Sequence, residues 1–130
     1  MSTIFSKIIS GEIPCHKIAE NEQFLAFLDV MPLVEGHVLV VPKQEIDYIF
    51  DIEPETLGNL MKFAQSVAPA IRKAIPCKRI GVAVIGLEVP HAHVHLVPMN
   101  TANDLNFTQA KLQVSQESLA KTAELIRSFL

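Results

Sequence analysis

Cysteine is scarce in this chain: Cys15 and Cys77 are the only two, far apart and without metal-ligand spacing around either. That excludes a disulfide framework and reads as two ordinary thiols of a reducing compartment. Clustered positive charge is missing as well. The net charge is −3 and the 11 lysines and arginines are scattered, which excludes the footprint of a nucleic-acid backbone and leaves room for a small anionic ligand. No apolar run approaches the ~18 residues of a membrane span. The opening Met1-Ser2-Thr3-Ile4-Phe5-Ser6-Lys7 has no apolar core followed by a cleavage site. Repeats, low-complexity tracts and linkers are also lacking. These absences predict a cytoplasmic protein with neither a nucleic-acid nor a membrane partner.

What is present is a core. With 130 residues, 49% of them hydrophobic, the chain predicts one domain over 1–130. Ile4, Phe5, Ile8 and Ile9 fall at helical spacing behind Ser2 or Thr3 as N-cap, with Gly11 as terminator. Lys17 to Ala19 and Phe24 to Leu28 read as strands of a hairpin about Asn21-Glu22, and His37 to Pro42 as a strand with His37, Leu39 and Val41 on one face. Pro54 opens a long helix over 54–75, with Leu57, Leu60, Met61, Ala64, Ala68 and Ile71 spaced by threes and fours. Pro69 inside it predicts a kink or an early end. A strand over 80–85, a turn over 86–90 and a strand over 91–98 follow, close enough to pair antiparallel. Residues 100–114 carry no pattern, and Ser115 caps a last helix with the stripe Leu119, Ala123, Ile126 and Leu130. The order predicts an α+β fold, an antiparallel sheet of about five strands with the long and C-terminal helices on one side.

Three of the five histidines fall at 91, 93 and 95, alternating with Ala92 and Val94. Strand alternation puts the three on one face and Ala92, Val94 and Leu96 on the other. A strand serving structure alone would use Val, Ile or Thr there. A shared metal is the first use to test. At a rise of ~3.3 Å per residue the outer Cα atoms lie ~13 Å apart, against metal–nitrogen distances near ~2.1 Å. This argues against all three on one ion and leaves open two histidines completed by His37. The other use is acid–base and nucleophilic chemistry. A neutral imidazole attacks phosphorus to give a phosphoramidate that water resolves, while its neighbours orient it, contact phosphoryl oxygens and protonate the leaving group. Such a row needs no metal and no cofactor.

Residues 91–97 fit His-φ-His-φ-His-φ-φ with φ apolar, and here the sequence resembles the histidine triad (HIT) family. The resemblance extends to Ile4-Phe5-Ser6-Lys7-Ile8-Ile9 with Gly11-Glu12-Ile13-Pro14, to Phe27-Leu28-Asp29-Val30-Met31-Pro32, and to Gly36-His37-Val38-Leu39-Val40-Val41-Pro42-Lys43. It is nearest the Hint-type branch of nucleoside phosphoramidate hydrolases. It implies a homodimer with one continuous sheet and a purine mononucleotide or nucleoside phosphoramidate as ligand. It also implies His93 as nucleophile, His91, His95 and His37 as orienting and phosphate-contacting partners, and Asp29 as acceptor from the ribose hydroxyls. Ile4, Phe5, Ile8, Phe27, Leu28 and Val30 are the implied walls around the base. Three departures stand out. The family's Gly-rich stretch ahead of the triad is shortened to Ile85-Gly86-Leu87-Glu88-Val89-Pro90, its polar phosphate donors are missing, and Glu88 stands beside the expected phosphate and leaving group. Thr3 and Ser6 also replace the Cys-x-x-Cys that some relatives use in a zinc site. The readings left open are a nucleotide hydrolase or transferase acting at the α-phosphorus, a nucleotide-binding regulatory module with little catalysis, and a metal-binding histidine site.

Overall fold

The computed structural model describes residues 2–130. In chain order the elements are α1 (Ile4–Ile9), β1 (Lys17–Glu20), β2 (Phe24–Leu28), β3 (Val38–Pro42), α2 (Pro54–Ala74), β4 (Arg79–Ala83), β5 (Val94–Met99) and α3 (Gln116–Arg127), with 3-10 turns at Ile49–Asp51 and Ala102–Leu105. The strands form one antiparallel sheet in the order β1-β2-β3-β5-β4. Among the described residues no helix is long and apolar enough to cross a membrane.

Local chemistry sets most boundaries. The Thr3 hydroxyl accepts from the Ser6 N–H and starts α1, and Gly11, at φ 85°, carries the chain out of it. Asn21 closes the β1–β2 hairpin by accepting from the N–H groups of Gln23 and Phe24. Ser115 accepts from Ser118 and starts α3.

The sheet separates two apolar clusters. On one face α2 and α3 bury Leu60, Val67, Ile71, Leu119 and Ile126 against Phe24, Ala26, Leu28, Val38, Val40, Val94 and Leu96. On the other, α1 brings Phe5 onto Leu25, Phe27, Leu39 and Val41. Strands β2 and β3 are therefore buried on both faces, which is why FLAFL and VLVVP are continuous apolar runs rather than alternating ones.

The structure differs from the sequence reading at several places. On the long helix Met61 is exposed, and Val67 and Ala70 are buried beside Leu60, Ala64 and Ile71. The long helices share one side as expected, but α1 packs on the opposite face with the histidines. The early end at Pro69 does not occur: α2 runs on to Ala74, with Pro69 and Gln65, whose carbonyl loses its donor, both exposed. β4 ends at Ala83, and β5 begins at Val94 rather than at His91. There the ladder stops because Pro42, next on β3, has no N–H to offer, while Ala92 N–H donates to the Ile46 carbonyl and His91 N–H to the Val89 carbonyl. Leu130 lies beyond the end of α3 and is exposed instead of joining its stripe.

Candidate active site

The histidines keep to one side of the chain even where the ladder has ended. Ala92, Val94 and Leu96 belong to the helix-covered core. His91 and His93 pack edge-on against Phe5 with ring centroids at 5.8 and 4.9 Å, and His93 lies 4.9 Å from His95. His37 joins from the start of β3, which pairs with β5. The Asp29 N–H donates to the His37 carbonyl at 3.0 Å, which extends the β2–β3 ladder and ties the carboxylate to that end of the row. Ahead of His37, Gly36 has φ 87°, and a Cβ there would meet Ile75 at 2.7 Å, so the entry to β3 tolerates no side chain.

Hydrogen-bond partners fix the proton on each ring. A carbonyl only accepts, so His93 Nδ1–H donates to the His91 carbonyl at 2.7 Å and Nε2 keeps its lone pair. His91 Nε2–H donates to the Pro42 carbonyl at 2.8 Å, which leaves Nδ1 to accept from the Thr3 hydroxyl at 2.9 Å. His37 Nδ1 accepts from the Leu33 N–H at 3.1 Å, so its Nε2–H donates to His95 Nδ1 at 2.9 Å. The proton of His95 is then on Nε2. Two rings side by side thus present opposite functions, a lone pair on His93 and an N–H on His95.

Burial favours the neutral form of three of them, His37, His95 and His93. It lowers the pKa of His37 to about 3, helped by the charges of His95 and Lys111, and that of His95 to about 4, helped by His93 and Lys111. Burial also pushes His93 below 6.5, against the opposing effect of its bond to the His91 carbonyl. Asp29 is raised by burial, against the N–H of Met31 that its Oδ1 accepts, and its Oδ2 lies 3.8 Å from His37 Nε2.

The other residues singled out from the sequence are distributed unevenly. Phe5, Ile8 and Phe27 lie in the apolar cluster beneath the histidines. Leu28 does not: it follows Phe27 on the strand, faces the other way and packs in the helix-covered core. Ile4, Val30 and Glu88 are exposed, and the charge of Glu88 acts on His93 and Asp29. Two residues escaped the sequence reading. Phe107 packs on His95 at 4.7 Å and reaches His37 at 6.2 Å, and Lys111 acts on Asp29, His37 and His95. A lone aromatic in a polar stretch was the only signal for Phe107, and Lys111 had none.

Among the described residues, one set of three possible metal ligands converges: Asp29, His37 and His95, with ligand atoms within 4.8 Å of one another. It contains His37 and a single member of the triad, where the strand spacing argued only against all three on one ion. Both nitrogens of His37 are already engaged, so the set does not fit a metal without breaking the His37–His95 bond. Thr3 and Ser6 likewise offer hydroxyls in place of thiolates, bonded to His91 and Glu45.

Comparison with known proteins agrees with this layout. The HIT domain family matches residues 10–102. Adenosine 5'-monophosphoramidase hnt1 of Schizosaccharomyces pombe is 32% identical over 134 aligned residues, 98% of each chain. An uncharacterized HIT-like protein of Helicobacter pylori is 39% identical over 72% of this chain and 93% of its own. Among solved structures, a HIT-like protein involved in cell-cycle regulation from Bartonella henselae superposes with TM-score 0.86 at 31% identity, covering 99% of this chain and 96% of the other. A zinc-bound histidine triad protein of Mycobacterium smegmatis gives 0.81 at 30% identity, with 99% and 93% covered. With three histidines in alternation beside a fourth on the neighbouring strand, and a match over most of its length, the chain belongs to the HIT family.

Proposed function

We propose that this protein is a nucleotide hydrolase or transferase acting at the α-phosphorus of a purine nucleoside phosphoramidate or a related nucleotide, through a covalent nucleotidyl intermediate on His93. The observation that carries the reading is the pair of opposed tautomers: an unprotonated Nε2 on His93 beside an Nε2–H on His95. The similarity to an adenosine 5'-monophosphoramidase supports the substrate class.

In this reading His93 Nε2 attacks phosphorus and the bond from phosphorus to the leaving amine breaks. The amine departs with the bonding pair and a proton taken up from solvent, its nitrogen hydrogen-bonded by the His95 Nε2–H. Water then attacks the same phosphorus, displaces His93 and releases a proton to solvent. The His37 N–H holds His95 in the required tautomer, and the His91 carbonyl does the same for His93. The free oxygen of Asp29 receives the ribose hydroxyls, with Ile4, Ile8 and Val30 beside the base above a floor of Phe5 and Phe27. Glu88 stands on the His93 side, where a departing amine is a better neighbour for a carboxylate than a phosphate is.

The homodimer belongs to this proposal. β4 is an outer strand of the sheet, with Val82 exposed, and pairing there would join two sheets into one.

A single-turnover assay with an adenosine phosphoramidate tests the chemistry. Wild type should release AMP and, on rapid quenching, show protein-bound nucleotide. His93→Ala should lose both by about a thousandfold or more with unchanged circular dichroism; retained turnover would refute the nucleophile. Binding without turnover in the wild type would favour the regulatory module, a reading supported by the burial of His93, at 7% exposure, and by the Phe107 cover.

A further inference from the structure

After β5 the chain turns through Ala102–Leu105 and returns beside His95 and His37 as a strap, residues 106–112. The strap is fixed at both ends. Phe107 packs edge-on against His95, and the Leu112 N–H donates at 2.9 Å to the carbonyl of Pro32, in the loop that follows Asp29. Lys111, immediately before the second anchor, is half-buried, and among the described residues its ammonium forms no ion pair. It is also the one lysine or arginine whose charge acts on Asp29, His37 and His95.

The charges around the row explain why such a cation matters. Neutral His37 and His95 bring no positive charge, and two carboxylates, Asp29 and Glu88, flank the site. A phosphate arriving there would meet a net negative field. The stretch ahead of the triad, Ile85 to Pro90, contributes Glu88 where polar phosphate donors would stand. One ammonium whose charge acts on His37 and His95, where that of Glu88 acts on His93, offsets the carboxylates for an anion.

We propose that Lys111 is the phosphate-contacting cation of this site, delivered over His95 and His37 by the strap pinned at Phe107 and Leu112. The inference rests on the nucleotide reading and adds to it a source of positive charge that lies outside the histidine motif. Lysine suits the place as a compact point charge that needs no fixed fork geometry.

Calorimetric titration with AMP and with adenosine separates the phosphate contribution from that of the nucleoside. Wild type should bind AMP more tightly than adenosine, with the difference shrinking as salt is raised. Lys111→Gln should weaken AMP by about tenfold or more, the scale of one charge-assisted hydrogen bond, and leave adenosine within about twofold. Lys111→Arg should restore most of the loss by keeping the charge. Lys121→Gln, the same charge change on an exposed turn of α3, should alter neither ligand. Equal weakening of AMP and adenosine by Lys111→Gln would mark a merely structural strap, and an undiminished AMP preference would remove Lys111 from the phosphate; either result overturns the proposal. A wild type that binds neither ligand would overturn the nucleotide reading, and this assignment with it.

Discussion

At the scale of single residues, the site works by withholding charge. His37, His95 and His93 are all held below the ordinary imidazole value of 6.5 by burial. Two consequences follow with opposite readouts. For the proposed activity, His93 attacks in its unprotonated form, so kcat/KM for a phosphoramidate should be flat from pH 8 to 6.5 and fall only below that; a half-point at or above 6.5 would contradict a buried nucleophile. For stability, the unfolded chain binds protons at 6.5 that folded His37 and His95 refuse until about 3 and about 4. Stability should therefore be complete above about pH 6.5 and decline as the pH falls through that window, as urea midpoints would show. Alternation along 91–95 showed from sequence alone which residues share a face, because side-chain period is a local property. Which nitrogen carries the proton was not legible, since the acceptors are the carbonyls of His91 and Pro42, and main chain is the same at every position.

At the scale of elements, legibility followed burial. β2 and β3 were readable because each buries an apolar run, and the core side of α2 was readable in part, at Leu60, Ala64 and Ile71 but not at exposed Met61. The strap was not, because its contacts are with the site rather than with the core, and a segment of that kind has no period to show. α1 lies between these cases. Its cap and its apolar residues were plain, but its side of the sheet was not, since that depends on Thr3 reaching His91, 88 positions away. The Thr3 hydroxyl caps α1 and donates to a buried ring at once. Replacing Thr3 by Val should cost about 1–3 kcal/mol, for a lost cap and an unsatisfied imidazole nitrogen, and slow turnover. Thr3→Ser, which keeps the hydroxyl, should recover both in denaturant unfolding and in the single-turnover assay. Recovery of stability without recovery of rate would separate α1 from the chemistry.

At the scale of the whole molecule, the two faces of one sheet differ, one packed under α2 and α3 and the other carrying the histidines beside α1 and the strap. In the proposed homodimer a second copy adds at β4, one of the two outer strands. The protein should elute at twice the mass of one chain, and Val82→Lys, on the exposed side of that edge, should shift it toward one chain without abolishing the fold. A monomeric wild type would remove the dimer from the proposal. There is a last consequence of the way His93 is held. Its orienting partner is the carbonyl of residue 91, and every amino acid carries a carbonyl, so no single substitution at 91 can delete that acceptor. The side chains around His93 can therefore change while the acceptor that holds its Nδ1–H remains.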